Sequence, residues 1–194
     1  MNAMRGFSLI ELIVGMAILG ILMSLGIPAF SDWMRNARVR TTAESALNGL
    51  QLARAEAVRR NTTVGFYLVD TTTGACALST AGPNWIVSVD SPVGQCNVDP
   101  SDATAPRIIQ LRRGAESGGA ATTVAAGQSS VVFNGLGRPT PLPGGNIAIN
   151  FTSAAGEACA AAGGPVRCLR VEVSIGGQIR MCDPALPAGD AQAC

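Results

Sequence analysis

An apolar run interrupted by a single carboxylate constrains this chain more than any other part of its sequence. From Phe7 to Phe30 every residue is apolar or small, except for Glu11. As an α-helix this run extends roughly 36 Å, which exceeds the roughly 30 Å of hydrocarbon in a bilayer. The run continues into polar, helix-forming sequence without a small-residue cleavage site, so a retained membrane anchor is a better interpretation than a discarded secretory signal.

A second helical pattern follows the apolar run. In residues 31–61 the apolar side chains recur every three or four residues and form a narrow stripe of Ala43, Ala46, Leu47, Leu50, Ala53 and Ala57. Glu56 and Arg60 lie four residues apart on the outer face, as do Arg40 and Glu44. Asn61 suits the end of a helix. Both patterns together predict one long helix whose second half needs a sheet to cover its stripe.

The remaining sequence is typical of β structure. Runs rich in Val, Ile and Leu alternate with Gly, Pro, Asp and Ser clusters and predict strands at 62–69, 84–89, 107–111, 130–133, 146–151, 167–175 and 178–182. Aromatic residues make up only 4% of the chain, so we expect a core of Val, Ile, Leu and Ala. Trp85 is predicted to lie in this core, whereas Trp33 fits either an interfacial anchor or core packing against the head.

The last two predicted strands form the clearest hairpin. A loop of residues 176–178 sets Val173 opposite Met181 and keeps the apolar faces of the two strands together. This register predicts a solvent-facing row made of Arg170, Glu172 and Arg180.

The amino-acid composition argues against most kinds of enzymatic catalysis. The chain has no histidine, and therefore lacks the usual general base and the commonest metal ligand. It also has no nucleophile elbow, phosphate loop or zinc-protease motif. Asp99 and Asp102 lie close together, but their spacing suits a turn better than a calcium loop. We expect no catalytic residue, no metal site and no cofactor.

Six cysteines, all beyond the apolar run, indicate an oxidising compartment. No pair has C-x-x-C spacing, and an even number among Gly- and Pro-rich loops favours disulfides. About fifteen pairings are open to six cysteines. The pairing that closes the shortest loops joins neighbours along the chain: Cys76 with Cys96, Cys159 with Cys168, and Cys182 with Cys194. Arginines on both sides of the apolar run leave its orientation open, so the cysteines decide it.

The segment around Glu11 carries a family resemblance. "RGFSLIEL", residues 5–12, resembles the processing motif of type IV prepilins and type II secretion pseudopilins. Residues 46–64 are similar to the stretch after the anchor in minor pilins and pseudopilins of the GspH/FimT type. "VVFNGLGRP" (131–139) and "SIGGQIRMCDP" (174–184) resemble later segments of that class more loosely.

This resemblance implies an α+β, type IV pilin-like fold, in which a long N-terminal helix packs on a mainly antiparallel β head. It divides the chain into a cleaved leader (1–6), a transmembrane and assembly helix (7–30) and an extracytoplasmic head (31–194). By the resemblance, prepilin peptidase cuts between Gly6 and Phe7, and the new Phe7 amine is N-methylated. The expected location is the bacterial inner membrane, with a single span, the head in the periplasm, and later incorporation into a pilus or pseudopilus.

A lone ionised carboxylate in hydrocarbon costs several kcal/mol, so Glu11 needs a partner. In the cut chain the nearest cation is the Phe7 amine, about 6 Å away along the helix. In a bundle of axially displaced copies, Glu11 of one subunit can meet the amine of the next. We therefore expect Glu11 to set the register of assembly with other pilin or pseudopilin subunits.

Three functions agree with these features. The first is a minor pilin that helps to initiate type IV pilus assembly on an inner-membrane platform, and the second is a minor pseudopilin of a type II secretion system. The third is a DNA receptor, for which some FimT-type proteins use a C-terminal G-R-x-R motif. Here that motif reads Gly-Gln-Ile-Arg at 177–180, without its first arginine. A weak DNA-binding patch would comprise Arg138, Arg167, Arg170 and Arg180.

Overall fold

The computed structural model describes residues 8–117 and 121–194. One helix, α1 (Leu9–Arg60), precedes eight strands. The described residues form two units, residues 8–34 and Arg35–Cys194. The helix ends where Asn61 adopts a left-handed backbone with φ of 48°. There the Thr62 N–H donates to the carbonyl of Ala57 over 3.2 Å, so the predicted helix end is confirmed.

The strands build two antiparallel sheets of four strands each. Their bounds are β1 (Val64–Val69), β2 (Asn84–Ser88), β3 (Ile108–Arg112), β4 (Thr122–Ala126), β5 (Ser130–Phe133), β6 (Ile147–Ser153), β7 (Leu169–Val173) and β8 (Ile179–Cys182). The first sheet has the order β3-β2-β1-β5 and the second has the order β4-β6-β7-β8. The predicted α+β architecture, with a long helix packed on antiparallel strands, is confirmed.

The predicted stripe of α1 is the part of the helix that the head buries. Ala43, Ala46, Leu50, Ala53 and Ala57 are at most 3% exposed. They share one core with side chains of both sheets, and Leu47 packs against it. The small side chains allow close approach, because a Cβ on Gly49 would lie only 2.9 Å from Phe66 and Trp85.

The core consists mostly of Val, Ile, Leu and Ala, as predicted, but it also contains phenylalanines that the low aromatic content did not lead us to expect. Phe66, Phe133 and Phe151 are among the largest fully buried side chains, and Trp85 is 3% exposed. The rings of Phe66 and Trp85 lie 5.5 Å apart, under the helix. Half of the chain's eight aromatic residues lie in this core, and the small side chains of α1 leave room for the rings of Phe66 and Trp85. The core position predicted for Trp85 is confirmed.

A second, smaller core lies around the other side chains of the first sheet. Tyr67, Val69, Ile86 and Ile108 are buried there together with the cystine of Cys76 and Cys96. The first sheet is therefore covered on one face by α1 and on the other by a disulfide-closed loop. This explains why every residue of β1 is buried.

One strand was missed by the sequence prediction. β4 pairs with β6 and sets Val124 opposite Phe151. Its sequence, "TTVAA", contains a single large apolar side chain and two alanines, which are weak strand formers. The strand forms because β6 supplies the ladder, which is information that a local pattern does not contain.

The register predicted for the last hairpin is also wrong. Val173 lies opposite Ile179, and Val171 lies opposite Met181. The loop closes one residue earlier than predicted, because Gly177 adopts φ of 84° and its N–H donates to the carbonyl of Ser174 over 2.8 Å. Apolar residues still face each other across the strands. However, Ile175 leaves the core face and is 41% exposed at the turn.

Candidate assembly site

The two residues of the predicted cleavage and methylation site, Gly6 and Phe7, lie outside the described residues. Glu11 lies inside them, in the first turn of α1. Its carboxylate Oε2 accepts hydrogen bonds from both the N–H and the hydroxyl of Ser8, each over 2.9 Å. In return, the Glu11 N–H donates a hydrogen bond to the Ser8 hydroxyl oxygen over 3.4 Å. This reciprocal pair is a capping box, in which a serine and a glutamate three residues on satisfy each other's backbone donors.

Ser8 is a site residue that the sequence interpretation missed, although the signal was present. The spacing S-x-x-E before an apolar run is the sequence signature of a capping box. The interpretation placed Ser8 in the processing motif, at a position where threonine is more usual, and gave its hydroxyl no contact. The contact holds the Glu11 carboxylate back over the N-terminal end of the helix.

The part of α1 that follows Glu11 presents apolar side chains in all directions. Each of the large ones is more than half exposed in the single chain: Leu12, Ile13, Val14, Met16, Ile18, Leu19, Ile21, Leu22, Met23, Ile27, Phe30 and Trp33. A helix that is apolar all round is normally buried in lipid or in other protein. Trp33 is 65% exposed and contacts Phe30, with ring centroids 5.8 Å apart. Both interpretations of Trp33 stay predictions.

Within the described residues, no helical segment combines the length and the apolar character that crossing a membrane requires. The transmembrane assignment of residues 7–30 therefore stays a prediction.

Where α1 enters the head, polar contacts fix it to a loop of the second sheet. The Asn36 amide donates to the carbonyl of Pro165 over 3.3 Å and accepts the N–H of Arg167 over 2.7 Å. Arg35 forms an ion pair of 2.5 Å with Glu157 of the same loop. The disulfide of Cys159 and Cys168 closes this loop. Sequence reasoning missed Asn36, because its partners lie about 130 residues away in the sequence.

The six cysteines pair in chain order, as predicted. The structure joins Cys76 to Cys96, Cys159 to Cys168, and Cys182 to Cys194. The carboxylate of Glu172 lies with the sulfurs of Cys182 and Cys194 within 4.8 Å of one another. Because both sulfurs belong to a disulfide, they are not thiolate ligands, and this group does not fit a metal ion.

The four candidate DNA-contact arginines do not form a free basic patch. Arg167 binds Asp183 through two guanidinium nitrogens, at 2.9 and 2.7 Å. Arg170 and Arg180 both reach Glu172, at 3.6 and 3.0 Å. Arg138 is exposed in the turn after β5.

The solvent-facing position predicted for Glu172 is wrong. Its residue surface is only 8% exposed, because Arg170 of the same strand and Arg180 of the neighbouring β8 cover its carboxylate. Asp102 likewise has a partner, because it binds Arg60 over 2.7 Å. This contact agrees with the interpretation of the Asp99–Asp102 segment as a structural turn.

Comparisons with known proteins agree with this architecture. The family model described as type II transport protein GspH matches residues 42–177, which is well over half of the chain. The model described as the prokaryotic N-terminal methylation motif matches residues 1–27. A fimbrial protein of Moraxella nonliquefaciens is 49% identical over 39 residues, which are 20% of this chain and 25% of that protein. The match thus spans a quarter of the fimbrial protein's length.

Among solved structures, the type IV minor pilin FimU of Pseudomonas aeruginosa (strain PAO1) in space group P21 matches with a TM-score of 0.51 and 14% identity, over 74% of this chain and 87% of that chain. The same protein in space group P65 gives a TM-score of 0.49 and 14% identity, over 73% and 90%. At this identity the P21 match shows a shared fold. The chain belongs to the GspH family and is a type IV pilin or pseudopilin, a structural subunit rather than an enzyme.

Proposed function

We propose that this chain is a minor pilin of a type IV pilus, a subunit that helps to initiate or prime assembly of the fibre. The observation that supports this most directly is the contrast between its two units. The described start of α1 exposes apolar side chains on every side, whereas the head encloses its own core. Such a chain is built to join a helical bundle through α1 while the head stays folded in water.

In this proposal the chain passes through the steps that its processing motif implies. Prepilin peptidase cuts between Gly6 and Phe7, and the new amine is methylated. The helix of residues 7–30 anchors the subunit in the bacterial inner membrane, and an assembly platform there moves it into the fibre. The head faces the periplasm, which agrees with its three disulfides because disulfides persist in oxidising compartments.

Glu11 then acts as the contact that selects the axial register. Its hydrogen bonds to Ser8 hold the carboxylate at the N-terminal end of α1. In a bundle of parallel helices, the methylated amine of an axially displaced neighbour would arrive at that end. An ion pair shielded from water by apolar side chains would stabilise one displacement over others.

A pair of matched substitutions tests this role. Glu11→Gln removes the charge but keeps a side chain that can complete the capping box, whereas Ser8→Ala removes the cap and keeps the charge. We expect the Glu11→Gln subunit to be cut normally but to be depleted from sheared fibres by about tenfold or more, while Ser8→Ala assembles nearly as wild type. Gly6→Ala should leave a longer, uncut form.

Immunoblots of whole cells report the cut, and immunoblots of sheared fibres report assembly. Normal assembly of Glu11→Gln would exclude the ion pair as the register contact. An equal defect in Ser8→Ala would instead show that the charge acts only while Ser8 holds the carboxylate in place, because Glu11→Gln keeps the cap.

A second candidate function is that of a minor pseudopilin in a type II secretion system. The match to the family described as type II transport protein GspH favours it. Deletion of the gene distinguishes the two candidates: loss of surface pili with normal secretion supports the minor pilin. Loss of secreted enzymes from the medium with normal piliation supports the pseudopilin.

A further inference from the structure

The chain itself covers the outer edge of most strands that end a sheet. After β5, a turn folds back so that the Thr140 N–H donates to the carbonyl of Val132 over 2.8 Å. On β4, the Ala126 N–H donates to the carbonyl of Thr80 over 2.8 Å. Next to the end of β8, the C-terminal segment returns and forms a bridge with Asp183. These contacts satisfy edge groups that could otherwise pair with another chain.

The outer edge of β3 is different. β3 ends the first sheet, and no bridge among the described residues joins positions 109–112 to anything other than β2. A contact is present at the beginning of the strand, where the Ser101 N–H donates to the carbonyl of Ile108 over 3.0 Å. The remaining outward-facing backbone groups of β3 are a template on which a further strand can form a ladder.

A groove runs beside this edge. It has a volume of about 280 Å³, and Trp85 lines it together with Thr41, Glu44, Ser45 and Asn48 of α1 and Gln110 and Arg112 of β3. The Trp85 ring N–H donates to the Ser45 hydroxyl over 3.2 Å, which fixes the indole next to the helix. A helix beside an unpaired strand edge is a geometry in which domains bind extended peptides by strand addition.

The two faces of β3 define which strand would fit. Arg112 lies opposite Trp85, on the side of α1, whereas Leu111 lies opposite Ile86, in the second core. Side chains of an added strand that point toward α1 would meet hydroxyl, amide and carboxylate groups. Those on the other side would extend the apolar surface of Leu111. The fitting segment therefore alternates polar and apolar residues.

Two arginines at the end of β3 place a further condition on the sequence of the added strand. The side chains of Arg112 and Arg113 are about half exposed, 49% and 53%, and each reaches Glu116 over 3.8 Å. This distance is longer than that of a well-formed charge-assisted hydrogen bond, roughly 2.7–2.9 Å. A carboxylate on the incoming strand could approach these guanidinium groups more closely.

We propose that β3 is a strand-addition site for an extended segment of another subunit in the fibre. The segment pairs with the edge of β3, places apolar residues beside Leu111 and carries a carboxylate next to Arg112 and Arg113. This inference rests on the proposed function as a fibre subunit. Nucleic acid does not fit, because the groove contains the carboxylates of Glu44 and Glu116. A second copy is disfavoured, because antiparallel self-pairing centred on Gln110 sets Arg113 opposite Arg107.

Site-specific photocrosslinking in assembling cells tests the proposal with the full chain. A benzoylphenylalanine at Gln110 should yield an adduct with another pilin-type subunit, and the crosslinked peptide should come from an extended segment. The same group at Ala125, which pairs with Ala81 across the outer edge of β4, is the matched control and should give no such adduct. Arg112→Glu combined with Arg113→Glu should reduce the Gln110 adduct by about tenfold, whereas Arg138→Glu should not.

The amount of the chain in sheared fibres is measured in the same cells. Normal incorporation without a Gln110 adduct would overturn the strand-addition site and leave the proposed function standing. An adduct with a second copy, or with a helical segment of a partner, would overturn it as well. Absence of the chain from fibres would refute the proposed function and, with it, the inference.

Discussion

At the scale of single residues, carboxylates that are costly to remove from water have specific hydrogen-bonding or ionic partners in this fold. Glu11 lies among apolar residues and is met by Ser8, whereas Glu172 is buried and is met by Arg170 and Arg180. Glu56 illustrates the same principle at the end of α1. Its side chain is only 16% exposed and accepts hydrogen bonds from Arg59 at 2.6 Å and from Arg60 at 2.7 Å. Arg60 also binds Asp102, and thereby connects the helix end to a loop.

The Glu56 cluster predicts a stability difference that depends on pH. The hydrogen bond from Arg59, larger than the opposing effect of desolvation, lowers the pKa of Glu56 below its ordinary 4.5. A lowered carboxyl pKa stabilises the folded state above the unfolded pKa, and this stabilisation is lost as the pH falls through the folded pKa. We expect Glu56→Gln to lower the free energy of unfolding by roughly 1 kcal/mol near neutral pH, after allowance for solvent screening.

Thermal unfolding of the full chain in detergent, followed by tryptophan fluorescence, measures the effect. The difference in Tm between wild type and Glu56→Gln should be constant from about pH 7 to about pH 5 and should shrink below about pH 4. A difference that persists unchanged in acid would mean that packing, and not charge, accounts for the loss.

At the scale of elements, two turns and the helix converge. The carbonyl of Gly137, in the turn after β5, accepts a hydrogen bond from the Arg54 guanidinium of α1 over 3.1 Å. The turn between β7 and β8 packs on the same carbonyl, so closely that a Cβ on Gly177 would overlap its oxygen. These turns lie in the two later segments that resemble the GspH/FimT class, 131–139 and 174–184. The structure therefore brings together segments that are about 40 residues apart in sequence.

Two neighbouring glycines provide a sharp test of this packing. Gly177 has φ of 84° and no room for a side chain, whereas a Cβ on Gly176 would lie 3.8 Å from the Ser174 hydroxyl. We expect Gly177→Ala to lower the free energy of unfolding by more than about 1 kcal/mol, because both the backbone conformation and the contact forbid it. Gly176→Ala should stay within about 0.5 kcal/mol of wild type.

Urea unfolding of both variants in detergent compares them directly. Equal effects would show that the turns separate easily and that the close approach of Gly177 does not contribute to stability.

Sequence patterns predicted the elements that have strong local periodicity and missed features that depend on distant partners. The alanine stripe of α1 could be predicted because residues on one face of a helix recur every three or four positions. The pairing of cysteines in chain order followed from loop lengths. In contrast, β4 depends on the ladder of β6, and the burial of Glu172 depends on the register of β7 with β8. Asn36 reaches a loop about 130 residues away, which no local pattern encodes.

At the scale of the whole molecule, the charges balance locally as well as in sum. The formal net charge is +1, and of the four candidate DNA contacts Arg167, Arg170 and Arg180 bind carboxylates of the chain itself. DNA affinity depends on cations that neutralise phosphates. In this head three of the four arginines already bind carboxylates, so few cations are left to neutralise phosphates.

We therefore expect that the head does not bind DNA in solution. The full chain in a non-ionic detergent should give no gel shift with duplex DNA at about 0.05 M salt. A shift at that salt concentration that disappears in Arg138→Ala would contradict this expectation and support DNA binding. A shift that is unchanged in Arg138→Ala but lost in Arg180→Ala would instead place the contact at the Glu172 row.

The local pairing of the six cysteines also bears on how the subunit withstands force. Each disulfide closes a loop of at most 20 residues within the β part of the chain, and none of the three includes α1. The backbone joins α1 to β1 after Arg60, so tension transmitted along a fibre through α1 would load the non-covalent contacts that hold the helix on the sheets: the alanine stripe, the Asn36 hydrogen bonds and the Arg35 ion pair. Under load the helix could peel from the sheets with every covalent crosslink intact. The mechanical limit of the subunit is thus set by side-chain packing, and its disulfides protect the loops that remain.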